Sequence, residues 1–379
     1  LCDRKQYEPA VSCLERCVAL REQAAGPHHQ SLASPLRKLA DAHYGLDQYE
    51  TAQQYLQRSL AIETRSHGPR SSGAAWCHRD LYHVLRQLDR DKEALHHARS
   101  ALSIREQVHG PAHRLVAYSL GDVADALREL EHLEEAVSTC GRAADVYRQL
   151  GLDDEATKVD LELAELYVKL KQPQRAEELF QQSIDALRRK GRQPDRTLGD
   201  ALDSFADYWS SRGQLVRARP LYEQALATYE SCLPRDHAWI GFVLHSLGPL
   251  YNELGLYELA EAAHRRNVAI KSQHDGRKAV TAEAINNLGV TLIRRARYHE
   301  ALELFREAQQ IYDDCGNPDA ALAIENQGHA FLNLGDFHQA QRHYRQAWKQ
   351  REAAYGENSP EVASSLASLS GLSSRQGRR

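Results

Sequence analysis

The apolar positions between Ala284 and Tyr312, AINNLGVTLIRRARYHEALELFREAQQIY, fall into two short helical stripes. Ile285, Leu288, Gly289 and Leu292 keep the i, i+3, i+4, i+7 spacing of one packed helix face. A turn follows, closed by Tyr298, and Ala301, Phe305 and Ala308 form the stripe of a second helix. Gly289 and Ala301 are small where one helix must approach the other; Tyr298 and Phe305 are large where a neighbour would otherwise leave a hole. A helix pair of this size cannot bury its apolar face alone, so it predicts copies of itself on both sides.

The copies are present. The alanine that opens the second helix recurs at Ala10, Ala52, Ala94, Ala136, Ala176, Ala218, Ala260, Ala301 and Ala340, at gaps of 42, 42, 42, 40, 42, 42, 41 and 39 residues. A large residue follows four positions later (Leu14, Leu56, Phe180, Tyr222, Phe305, Tyr344). A small one comes three further on (Ala101, Ala143, Ser183, Ala225, Ala308, Ala347). The repeats run roughly 1–30, 31–72, 73–114, 115–151, 152–195, 196–238, 239–278, 279–317 and 318–356, with a half repeat at 357–379. Gly and Pro punctuate the loops between repeats, as in Gly26-Pro27, Gly68-Pro69, Gly110-Pro111 and Gly356 before Pro360; Gly213, Gly255 and Gly335 mark turns inside repeats. Glycine just past a helix end is expected to supply a left-handed cap. The basic run from Arg188 to Arg196 reads as a solvated loop, because the spacing continues through it. The expected fold is all-α: one solenoid of about nine helix-turn-helix repeats spanning 1–379.

Composition narrows the function. A net charge of −4 and a pI near 6.6 give no basic stripe for nucleic acid. No apolar run approaches the roughly 18 residues of a membrane span. The seven cysteines are odd in number and scattered without a C-x-x-C pair. They fit reduced thiols in a cytoplasmic protein better than a disulfide framework. Cys13 and Cys17 lie one helical turn apart, but Cys17 and Cys140 occupy packing positions of their repeats. Methionine is absent, the chain opens on Leu1-Cys2-Asp3, and it closes inside a lone first helix, so a segment of a longer protein is expected.

The chain resembles a tetratricopeptide repeat (TPR) protein of the long-repeat variety found in kinesin light chains. The phrase ALSIREQVHGPAH (Ala101–His113) carries the resemblance, with weaker copies at Val18–His28, Ser59–Pro69 and Lys349–Gly356, and INNLG at Ile285–Gly289. The resemblance implies a right-handed superhelix whose first helices line a concave groove.

No catalytic constellation is visible: G-x-G-x-x-G, P-loop, H-E-x-x-H and G-x-S-x-G motifs are all missing. His96 and His97 point apart on a helix, and Cys77, His78 and His83 share no stripe, so neither metal nor cofactor is expected. The remaining candidate site is the set of first-helix positions just off the packing stripe. These include Arg37, Asp41 and Tyr44, then Arg79, His83 and Arg86, then Gly121, Asp125 and Arg128. Further along they become acidic at Glu165, Asp203 and Asp207, and then nearly neutral. Asparagine both donates and accepts, so Asn252, Asn286, Asn287, Asn326 and Asn333 are candidates to hold a peptide backbone. Val290, Ile293 and His329 would lie beside its side chains, and Arg79, Arg86 and Arg128 would reach an acidic stretch. The competing reading is that these polar residues only solvate the wall. The expected function is non-enzymatic: an adaptor or scaffold that binds a peptide or partner protein. The alternatives are a sensor or regulatory part of a larger multidomain enzyme or signalling ATPase, and a purely architectural spacer.

Overall fold

The computed structural model describes residues 7–189 and 196–376, with side chains to residue 372. Cys2 and most of the basic run at 188–196 lie outside the described residues. Contacts divide the chain into two compact lobes, the first up to residue 190 and the second from residue 191.

In the N-terminal lobe, α1 (Tyr7–Ala25) is followed by a short 3-10 turn and then by four helix pairs. These are α2 (Ala33–Tyr44) with α3 (Tyr49–His67), α4 (Ser72–Gln87) with α5 (Asp91–His109), α6 (Arg114–Glu129) with α7 (Leu133–Gln149), and α8 (Asp153–Lys169) with α9 (Pro173–Arg189). The C-terminal lobe has α10 (Arg196–Ser211) with α11 (Leu215–Cys232), α12 (Ala238–Glu253) with α13 (Tyr257–Asp275), α14 (Ala279–Arg294) with α15 (Tyr298–Asp314), and α16 (Ala320–Leu334) with α17 (Phe337–Tyr355). It ends with α18 (Pro360–Gln376). No strand occurs among the described residues.

The nine periodic alanines open the second helix of each repeat and are at most 3% exposed, so the period seen in the sequence is the period of the core. In α15, Phe305 is fully buried, a burial that stabilises by roughly 1.5–3 kcal/mol. Its ring lies over the backbone of Gly289, where a Cβ would sit 2.5 Å from the ring. Tyr344 stands over Gly328 in the same way, and the His264 ring over Gly248.

Helix ends are set by two local devices. Within repeats, the turn residue has positive φ at Gly213, Gly255 and Gly335, and equally at Asp47, Asp89, Glu131, Lys171 and Ala296. Between repeats, Gly68, Gly110 and Gly356 have φ of 88°, 79° and 83° with ψ of 162°, 165° and 160°. The expected left-handed cap is therefore corrected: this is the positive-φ, extended region essentially confined to glycine, which turns the chain out of the helix instead of adding a helical residue. Three residues past such a glycine, a side chain caps the element that follows, the 3-10 turn before α2 in the case of His29 and the next first helix in the others. His29, Ser71 and His113 accept the backbone N–H of Ser31, Ala74 and Leu115, and His237 similarly accepts that of Trp239. Several of the many histidines thus serve as helix caps.

Candidate functional site: the first-helix wall

First helices touch one another directly: α4 meets α6, α12 meets α14, and α14 meets α16. Where successive first helices neighbour one another, their off-stripe side chains meet and form a wall.

In the N-terminal lobe the wall is laced by ion pairs between successive repeats. Arg37 reaches Asp80 at 3.2 Å, Arg79 reaches Asp122 at 3.1 Å, and Arg86 reaches Glu129 at 3.5 Å. Arg128 pairs within its own helix with Asp125 at 2.8 Å. The three arginines singled out in the sequence thus each face a carboxylate already. Arg37 and Arg79 also flank the Trp76 ring, with guanidinium carbons 5.6 and 6.0 Å from its centroid. Burial pushes the Asp80 carboxyl up to about 6 even though Arg37 and Arg79 pull it down. Burial, reinforced by Arg79 and Arg86, pushes His83 down to about 4, so it is neutral at physiological pH.

Between α2 and α4 the wall opens into a cavity of about 280 Å³ lined by Arg37, Ala40, Asp41, Tyr44, Leu56, Asp80, His83 and Val84. Four of these (Arg37, Asp41, Tyr44, His83) are off-stripe positions marked by the repeat register. Asp80 joins them on the rim, and Ala40, Leu56 and Val84 are the floor, which belongs to the packing core and which periodicity alone did not separate from any other core position.

In the C-terminal lobe the asparagines divide by burial. Asn286 is 2% exposed, and its side-chain oxygen accepts from the Asn326 amide at 2.9 Å. Asn252 donates to Thr291 Oγ1 at 2.8 Å, while its own oxygen is buried without a partner among the described residues. Asn287 is half-buried, and the exposed Asn333 amide donates to the His329 carbonyl at 2.8 Å. Val290 and Ile293 pack partly against the core cluster around Phe305. His329 Nδ1 lies 2.8 Å from the Tyr344 hydroxyl. Asn286 is thus committed to the packing of its neighbour, whereas Asn287 and Asn333 remain on the surface of the wall.

Several polar residues brought together by the fold were not found by sequence reasoning. His78 Nδ1 lies 2.8 Å from His97 Nδ1, a pairing between α4 and α5 that linear spacing does not reveal. His264 and Asn267 are each 1% exposed, with no hydrogen-bond partner for their side-chain nitrogens or oxygen among the described residues. The periodicity could have marked both, since they occupy the large and small slots of their repeat. No group of three or more metal-ligating side chains occurs among the described residues, and no helix there is long and apolar enough to cross a membrane.

The tetratricopeptide repeat family model matches residues 1–64, 36–107, 83–149 and 239–314, and a second model with the same description matches 198–238. The chain belongs to the tetratricopeptide repeat family. No curated protein sequence matches it. Among solved structures, the apo form of RapI is 14% identical, covering 94% of this chain and 96% of its own, with a TM-score of 0.58. The apo form of the quorum sensor NprR from B. thuringiensis is 13% identical over 91% and 96%, with a TM-score of 0.55. A signal transduction ATPase with a tetratricopeptide repeat sensor, from Pyrococcus horikoshii, is 14% identical, with a TM-score of 0.57. It matches 87% of this chain, which spans 50% of it. At these identities the likeness is one of fold.

Proposed function

We propose that the first-helix wall binds an extended peptide or a segment of a partner protein, in the manner of an adaptor or scaffold. The observation that carries this reading is the cavity between α2 and α4, because it opens at the off-stripe positions of two successive repeats. A bound chain there would place one side chain in the cavity and run along the wall. In the C-terminal lobe, Asn287 and Asn333 would meet a peptide backbone, with Val290, Ile293 and His329 beside its side chains. The buried Asn286 supports this wall from behind, with Asn326. Arg79, Arg86 and Arg128 would meet an acidic stretch only by exchanging their present carboxylate partners. The partly exposed pairs of Arg86 and Arg128 are worth roughly 0–1 kcal/mol, so their exchange is cheap, whereas the more deeply buried Asp122 makes the exchange at Arg79 costlier.

Two of the similar folds are described as sensors, which makes a sensor or regulatory part of a larger enzyme or signalling ATPase the second reading. It shares the peptide-binding step and adds an effect on an attached activity.

The test is binding of a capped octapeptide library to the chain and to two variants of equal helicity by circular dichroism. One carries Asp41→Ala, Asn287→Ala and Asn333→Ala on the wall; the other carries Arg342→Ala and Lys349→Ala on α17. Binding lost in the wall variant alone supports the reading. Binding unchanged in the wall variant, or lost equally in both, sinks it.

A further inference from the structure

The cavity between α2 and α4 also indicates what enters it, an inference that rests on the peptide-binding reading. Its volume of about 280 Å³ lies at the lower edge of small-molecule sites, a size for one side chain of a longer ligand. The floor is apolar: Ala40, Leu56 and Val84 are at most 2% exposed. The rim is charged. Arg37 is held by Asp80 at 3.2 Å, so its guanidinium is already matched. Asp41 is exposed, makes no ion pair among the described residues, and lies close enough to Asp80 to raise its pKa. His83 is kept neutral by burial and by two arginines, and brings no compensating positive charge. Among the lining side chains two carboxylates face one guanidinium; Arg79 and Arg105 act on Asp80 from outside the lining, so Asp41 is the carboxylate left without an ion-pair partner among the described residues.

We infer that this cavity takes a lysine or arginine side chain of the bound peptide, its aliphatic stem on Ala40, Leu56 and Val84 and its charged end on the Asp41 carboxylate. Long basic side chains combine an apolar stem with a cationic head, which matches an apolar floor under an anionic rim. An acidic side chain would face Asp41 directly. A purely apolar one would desolvate that carboxylate with nothing in return.

The experiment screens the full chain against a positional-scanning library of capped octapeptides, then measures dissociation constants for one selected peptide and its Lys→norleucine or Arg→norleucine analogue. Each is measured on the wild-type chain and on Asp41→Asn. Asp41 is exposed and outside the core, so the variant keeps the fold. One library position should demand Lys or Arg, and Asp41→Asn should weaken that peptide about tenfold, the scale of a charge-assisted hydrogen bond. The norleucine analogue should bind both chains alike, closing a double-mutant cycle. Peptides that bind without a basic preference, or a loss that is the same for both peptides, would overturn this inference and leave the peptide-binding reading standing. No peptide bound to the wild-type chain would overturn both.

Discussion

The Asn326 amide donates to the Asn286 side-chain oxygen at 2.9 Å, from α16 to α14, joining two successive repeats. The same register joins Arg37 to Asp80 and Arg79 to Asp122, from one first helix to the next. Uncharged in one lobe and ionic in the other, these contacts hold neighbouring first helices edge to edge.

Replacing Asn286 by Ala should therefore act on folding. The hydrogen bond is lost and the Asn326 amide is left without its acceptor, a cost of about 1–3 kcal/mol. Asn333→Ala, on the exposed surface, should stay within about 0.5 kcal/mol of wild type. Urea denaturation of the two variants checks the contrast; equal midpoints would remove the structural role assigned to Asn286.

Gly289 should tolerate no side chain. A Cβ there would meet the Phe305 ring at 2.5 Å, and the ring is enclosed on every side. Gly289→Leu is expected to destabilise by about 1–3 kcal/mol through overpacking. A companion Phe305→Leu should recover part of that loss, which thermal unfolding of the single and double variants would measure.

His264 should make the chain acid-sensitive. Burial pushes its folded pKa down to about 4, and the ring is 1% exposed. Unfolded, it would take a proton near pH 6.5. Between those values the unfolded state binds the extra proton, so stability is full above about pH 6.5 and falls as pH drops toward 4, by about 3 kcal/mol at most. His264→Phe puts in this slot the ring that Phe305 presents to Gly289. It should raise stability at pH 7 and flatten this part of the acid limb. Denaturation midpoints at pH 7 and pH 4.5 test both; an unchanged slope would mean that His264 protonates freely in the fold.

Asp203 should act in the opposite sense. Burial first, and then Asp207 and Asp200, push its carboxyl up to about 7, and one of its oxygens is buried without a partner among the described residues. Folded, it keeps a proton that the unfolded chain has already released, so its contribution to stability is lost as pH rises from about 4 to 7. Asp203→Asn mimics the protonated form and should stabilise by about 1–3 kcal/mol at pH 8 and hardly at all at pH 4. A gain independent of pH would refute the assignment.

Ala296 has a φ of 57° in a turn where three other repeats have glycine. A Cβ in the left-handed region costs roughly 1–2 kcal/mol. Ala296→Gly should recover part of this and raise the melting temperature, whereas a fall would show that the turn is held by contacts of the alanine methyl.

The sequence by itself determined the period, the helix pairs and the small-on-large packing. Those depend on spacing along one helix and on a slot repeated at nearly constant intervals, as Ala301, Phe305 and Gly289 illustrate. Tertiary structure decided which wall residues are free. Asn286 and Asn287 are adjacent and chemically identical, yet one points into the neighbouring helix and the other stays on the surface, because a rotation of about 100° per residue separates them. It also decided that Arg79 already has a carboxylate partner, that His78 meets His97, and that a cavity opens above Leu56. Each of these depends on how far apart two helices settle once their cores are packed, a distance no pattern within a single helix contains.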